Sequence, residues 1–473
     1  MLRLRVKFVR HALGTLVVLL AVFASQAQTS ATLLLEEPYG KLGFFTGTGH
    51  AAVYLSGVCT DNPLVLRRCA PGESGAVLSR YDGIGEYDWV AIPLIPYLYA
   101  VERPEDVPLF ADAKMVAFLR DRYRRAHLED VAPDLANGEA PDGNWYELVG
   151  TSYDRTVYGF TIETTAAQDE ALIRKYNSSP NRSHFHLVSR NCADFAKDVI
   201  NFYYPKALHR SLVADIGITT PKQMAKRMVK LGSRHPELQF SRLVIAQVPG
   251  SMPRSTVAHG VVESFFKSKK YIVPSAIFSP IFAGCVAAVY VGTGTGRFDP
   301  ARNAMVFSAG GDPELPLGHE DRRAYQKELA ALLSADRETS GTRVDKQWGR
   351  LQSKASAELD PQGRPTLLMK HGERFVNVGL AADNVLSSGA PPALVQQLLE
   401  ARLQTELRRG APTRVSGAEI ARDWRLLQEA LNQADLPQTV QRRAAQSQPP
   451  LMEAQLPPRT ARTAERGFRA SGR

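Results

Sequence analysis

Between Phe185 and Tyr204 the hydrophobic period of the chain changes once, and this change restricts the fold more than any other stretch. Phe185, Leu187 and Ser189 alternate with His186 and Val188, the spacing of a half-buried strand. Arg190 and Asn191 interrupt the alternation. From Cys192 onward the apolar residues Phe195, Val199, Phe202 and Tyr203 recur at helical spacing, with Ala196 between them. The pattern predicts a strand, a turn, and a helix whose first turn holds Cys192. Unpaired N–H groups and the helix dipole at such a position favour a thiolate, the form of cysteine that attacks carbonyl carbon.

A nucleophilic cysteine needs a base, and the sequence holds ten histidines. His11 lies in a basic, apolar leader. His127, His209, His235, His319 and His371 stand among charged or loop-like residues with nothing to aim them. His50 opens the segment GHAAVYLSGV, where Ala52, Tyr54 and Ser56 alternate with Ala51, Val53 and Leu55. This spacing predicts a histidine at the start of a strand, with a glycine leaving space beside it.

Two patterns now stand in order: His-x-x-x-Tyr-Leu (His50, Tyr54, Leu55), then Phe-x-Leu-x-x-x-Asn-Cys-x-x-Phe (Phe185, Leu187, Asn191, Cys192, Phe195). Together they resemble the circularly permuted papain-like cysteine hydrolases of the NlpC type. They are similar to the lecithin retinol acyltransferase and PPPDE families, in which the histidine precedes the cysteine. The resemblance covers roughly residues 40–205, under half the chain. It implies an α+β fold with an antiparallel sheet and flanking helices, Cys192 as nucleophile, His50 as general base, and amide, peptide or acyl substrates. Papain-like sites hold the base with a third polar group. Ser79 and Asp82 are candidates by position only, since neither matches a family motif. No cofactor is expected.

Three other readings stand beside this one. A cysteine on an apolar helix face is commonly a small core residue. The fold can also serve as a non-enzymatic binding or scaffold module. Finally, His184 and His186 share a strand face and, with Cys192 and His50, would make four zinc ligands; no Cys-x-x-Cys or His-Glu-x-x-His spacing supports that set.

The rest of the chain sets the context. A length of 473 residues allows two or three domains. The net charge of +10 is spread among acidic residues, and no nucleic-acid motif accompanies it; anionic headgroups or wall polymers account for it equally well. Residues 1–27 read as an export signal, with Arg3, Arg5, Lys7 and Arg10 before an apolar core and small residues at Ser25–Ala27. Export to the periplasm or cell envelope follows, with envelope peptides or acyl lipids as substrates. An oxidising compartment suits a disulfide, and Cys59 and Cys69, ten apart around a Pro- and Gly-containing loop, are predicted to form one.

Residues 28–250 are expected to form the papain-like domain with an extension. Strands are predicted over 43–46, 50–58, 76–81, 89–101, 145–151, 156–164 and 240–248. Helices are predicted over 111–127, with Arg120, Arg122, Arg124 and Arg125 as a solvated face, over 165–176, and from Pro221 to a stop at Gly232. Residues 272–292 carry no charge over the length that crosses a bilayer, so a transmembrane helix is predicted there, although Lys267, Lys269 and Lys270 precede it on the side the positive-inside rule disfavours. The glycine-rich 292–296 reads as linker. Residues 297–437 read as mainly helical with a short β-like patch at 367–380, and 438–473 as disordered.

Overall fold

A computed structural model of the chain describes residues 28–39, 47–183, 185–335, 349, 353–371, 373–409 and 414–434. The predicted export signal, the 43–46 strand, His184 and the tail from 438 lie outside them.

The architecture is α+β. Seven strands form the main sheet in the order β6-β5-β2-β1-β7-β8-β9: β1 (Gln28–Glu36), β2 (His50–Leu55), β5 (Ala76–Ser79), β6 (Val90–Pro93), β7 (Val157–Thr165), β8 (Ser241–Ile245) and β9 (Met305–Val306). All pairs are antiparallel except β8–β9, so the sheet is mixed. A hairpin of β3 (Val58–Asn62) and β4 (Val65–Arg68) extends from β2, and a three-stranded sheet holds β10 (Ser356–Leu359), β11 (Pro365–His371) and β12 (Arg374–Gly379). Twelve α-helices lie among the described residues. Before the key stretch come α1 (Leu94–Tyr99), α2 (Ala113–His127), α3 (Thr151–Asp154) and α4 (Ala166–Ser178). Then follow α5 (Cys192–Tyr203), α6 (Pro221–Arg234), α7 (Val261–Lys267), α8 (Lys269–Phe278), α9 (Pro280–Gly292), α10 (His319–Ala335), α11 (Pro392–Arg409) and α12 (Gly417–Ala434).

Strand alternation divides the core between the sheet's two faces. Ala31, Leu33 and Leu35 of β1 and Ala51, Val53 and Leu55 of β2 face α5 and α6, which contribute Ala193, Ala196, Val199 and Met224. Leu34 and Ala52 face the opposite way, toward α1, α2 and the C-terminal helices. The central strands are buried on both sides, which explains the near-continuous apolar run Ala31–Leu35.

Several expectations are corrected. No helix among the described residues is long and apolar enough to cross a membrane. The charge-free run is split at Ser279–Pro280 into α8 and α9: Pro280 fixes a new N-terminus and Ser279 adopts a non-helical backbone. Residues 185–190 form an exposed turn closed by a His186–Arg190 bridge, where the alternation predicted a strand. The 89–101 segment is strand only to Pro93 and continues as α1. The 145–151 segment is a 3₁₀ turn leading to α3. Gly232 lies inside α6, and a Cβ there would meet the Phe240 ring at 2.1 Å; its small size serves packing. On α2 two of the four arginines are buried. Arg120 pairs with Asp154 at 2.5 Å and Arg124 with Asp121 at 2.7 Å. The region after 297 carries the second sheet and shares its apolar cluster with α2 through Leu367, Met369, Leu398 and Met115. The Cys59–Cys69 disulfide is formed.

Candidate active site

Cys192 is the first residue of α5, as the change in period predicted. Asn191 caps the helix: its Oδ1 accepts from the Asp194 amide at 2.9 Å, and the Asp194 carboxylate accepts from the Asn191 amide at 3.4 Å. The Asn191 Nδ2 donates to the carbonyls of Leu187 (2.9 Å) and Thr219 (3.0 Å), which ties the helix start to the loop before α6. Asp194 is held in turn by Lys197, Arg210 and Thr219. The residue that precedes the cysteine is thus fixed by four hydrogen bonds through its side chain and amide.

His50 opens β2, also as predicted. Gly49 before it has φ +75°, and a Cβ at that position would lie 2.1 Å from the Glu36 carbonyl oxygen. Only glycine permits the chain to enter the strand so close to β1. The His50 ring stacks on Tyr81 with centroids 4.2 Å apart and planes 6° from parallel.

Helix α5 packs on β2. Residues far apart in sequence therefore become neighbours: the first turn of α5, with Cys192, lies against the backbone of Ala51, the residue next to His50. Alternation nevertheless sends the two side chains different ways. Ala51 points to the face of α5, whereas His50 shares the other face with Ala52 and Tyr81. The His50 Nε2 is buried with no hydrogen-bond partner, and no hydrogen bond joins the ring to the thiol.

Burial governs both titrations. Desolvation pushes the Cys192 thiol up to about 11, against opposing backbone hydrogen bonds at Ala51 and Ala193. Desolvation, helped by the Arg155 charge, pushes His50 down to about 3. The pair therefore rests as neutral thiol and neutral imidazole, and the thiolate expected from the helix start is outweighed by loss of solvent. Cys192 as a residue remains half-buried.

Beside His50 lies a polar network that sequence reasoning missed. Glu36, opposite His50 in the β1–β2 register, is fully buried. It accepts from the Tyr97 hydroxyl and from Thr151 Oγ1 at 2.9 Å. Arg155 lies 3.4 Å from Glu36 and 2.9 Å from Glu147. Tyr81 donates to the Glu147 carbonyl at 2.9 Å. The available signal was the adjacent acid pair Glu36–Glu37 ending an apolar strand. Of the two residues considered for the third position, Ser79 is buried with an unpartnered hydroxyl, and Asp82 is exposed. His186 sits on the exposed turn with Nδ1 against Ser189 Oγ at 2.8 Å, apart from any zinc set. The grouping of ligand types found among the described residues is Cys59, Cys69 and Glu73, whose sulfurs are bonded to each other.

A further histidine, His259, is partly buried and paired away from this network. His259 donates its backbone N–H to the Gly47 carbonyl at 2.8 Å and follows Ala258, which packs in the cluster of Ala193. Its ring is 4.0 Å from buried Glu263.

Comparison of the chain with protein-family models, with curated proteins and with solved structures gives no match in any of the three.

Proposed function

We propose that this protein is an exported cysteine hydrolase or acyltransferase acting on an amide, peptide or ester bond of a cell-envelope substrate. The observation that carries the reading is the meeting of the capped helix start and the histidine strand, with the Cys192 sulfur against Ala51 beside His50. Attack of the Cys192 sulfur on a substrate carbonyl forms the thioester and releases the amine or alcohol. In this reading the His50 ring leaves Tyr81 and turns toward the sulfur when substrate binds, takes the thiol proton and returns it to the leaving group; at rest the two side chains lie on opposite faces of β2. The Cys192 amide and the α5 N-terminus face the developing oxyanion. Water or an acceptor alcohol then cleaves the thioester. Because both groups rest neutral, proton transfer accompanies substrate binding and the resting enzyme stores no thiolate.

A specific observation favours a second reading, a catalytically inactive binding or scaffold protein of the envelope. The two side chains turn to opposite faces of β2, and His50 is too buried to ionise. Labelling with a small thiol-directed electrophile separates the two. The hydrolase reading expects Cys192 to be modified in the folded protein, slowly at pH 7 and faster toward pH 11, with loss of the modified peptide in Cys192→Ala. A Cys192 that stays unmodified across that range while Cys285 reacts leaves the scaffold.

A further inference from the structure

The segment that resembled a membrane span is almost unburied. Between Lys269 and Gly292 the single buried residue is Ala283. Around the Ser279–Pro280 break the side chains project into solvent: Ile277 is 69 % exposed, Phe278 86 %, Ile281 82 % and Phe282 50 %. Four large apolar side chains on one short tip make a patch that a soluble surface does not keep uncovered.

The unit is nevertheless firmly mounted. Phe265 of α7 packs between Tyr271 of α8 and Phe282 of α9, at 5.7 and 5.6 Å between ring centroids, and Phe266 stacks on Tyr290 at 4.5 Å. Buried Glu263 of α7 is paired with Lys222 of α6 at 2.7 Å, and Lys226 of α6 reaches the Thr293 carbonyl at 3.1 Å. The base is therefore bolted to the helix layer that packs on the main sheet, and the tip is free.

Charge identifies what covers it. From Ser264 to Phe298 there is no Asp or Glu, and the cations are Lys267, Lys269, Lys270 and Arg297. Lys267 is paired with Glu263 at 2.8 Å; Lys269 and Lys270 are exposed at the start of α8. A second copy of the chain would set these cations against each other, whereas an anionic headgroup layer neutralises them. Size agrees. At 1.5 Å per residue α8 and α9 extend about 15 and 20 Å, about one half and two-thirds of a hydrocarbon core roughly 30 Å thick.

We propose that α8 and α9 form a membrane-docking element that seats its Ile277–Phe282 tip in one leaflet of an anionic bilayer, with Lys269 and Lys270 at the headgroups, and does not cross it. The test uses the exposed thiol of Cys285 within α9. In full-length Cys192→Ala with the Cys59–Cys69 bridge intact, Cys285 is the one thiol left to carry an environment-sensitive fluorophore. Vesicles containing phosphatidylglycerol should blue-shift and brighten the probe several-fold, and nitroxide-labelled lipid should quench it. Neutral phosphatidylcholine vesicles should do so much less. Phe278→Ser/Ile281→Ser should abolish the response while near-UV circular dichroism stays unchanged. The proposal is overturned by a probe that stays in water with every vesicle, by an equal response to neutral vesicles, or by a response that survives the double substitution. It is also overturned by a blue shift without lipid that grows with protein concentration, which would mark a self-association face. Because the probe sits in α9, binding through any other part of the chain leaves it unaltered.

Discussion

His50 carries the clearest physical signature of any single residue near the candidate site. It is 8 % exposed, stacked on Tyr81, and pushed by burial and Arg155 from its ordinary 6.5 to about 3. The folded protein thus refuses a proton that the unfolded chain accepts below pH 6.5. The sign follows from linkage: the contribution of neutral His50 is complete above pH 6.5 and is lost as pH falls toward 3, at no more than about 1.4 kcal/mol per pH unit. Denaturant unfolding between pH 7 and 4 should show a steeper loss of stability in the native protein than in His50→Gln, which has no such proton to take up. Parallel pH profiles would show that the ring protonates freely in the fold. The same burial keeps the ring neutral well below the pH at which a free imidazole takes up a proton. Strand position follows from spacing, but the proton affinity depends on burial against Tyr81 and on the charge of Arg155, opposed by Glu147, all brought there by tertiary structure.

At the scale of elements, α5 shows how much was legible. The step from period 2 to period 3.6 located its start at Cys192, and the Asn191–Asp194 capping box supplies the local cause. Thr165 caps α4 with the same reciprocal box and Thr220 caps α6 by accepting from the Gln223 amide alone, and both were visible as Thr before a helical pattern. What failed was alternation over short runs. Residues 185–189 alternate but have no neighbouring strand to bond, and they close as a turn. The run 272–292 has the composition of a spanning helix, but Pro280 restarts the helix in the middle. The partner strand is a tertiary fact; the restart at Pro280 is local, and it escapes a reading of the sequence because membrane helices tolerate proline. The cap also sets a magnitude. Asn191→Ala removes the bond to the Asp194 amide and the two bonds to Leu187 and Thr219. It should cost about 1–2 kcal/mol, read as a lower denaturant midpoint with an unchanged slope. Asn191→Asp, which keeps the capping oxygen and loses the two donors, should recover part of it. Equal loss in both variants would place the stabilisation in the amide contacts rather than in the cap.

At the scale of the molecule, the C-terminal region is an integral part of the fold. From the sequence it reads only as a mainly helical region, but Arg402 of α11 joins it to the rest. Its guanidinium meets Glu406 of α11 at 2.9 Å and Glu419 of α12 at 2.8 Å, bonds Asp423, and donates to the carbonyl of Leu109 just before α2. Arg402, Glu406, Asp423 and Leu109 are buried and Glu419 is partly exposed; burial pushes Glu406 well above the usual carboxylate range. A second tie runs from Arg414 to Glu37 at 2.9 Å, at the end of β1 beside the candidate site. Removing one partner of a buried charge cluster leaves the others uncompensated, at a cost of about 3–5 kcal/mol. Arg402→Ala should therefore lower the melting temperature of the whole protein. Arg402→Lys should rescue little, because an ammonium cannot span three carboxylates and a carbonyl in one plane. The location of the loss is the informative part. If α2 and the C-terminal helices are one cooperative unit, Cys192 should become reactive to a bulky maleimide at the same temperature at which helical signal is lost. A C-terminal transition that precedes exposure of Cys192 by several degrees would instead define two units, with the main sheet stable without its C-terminal layer.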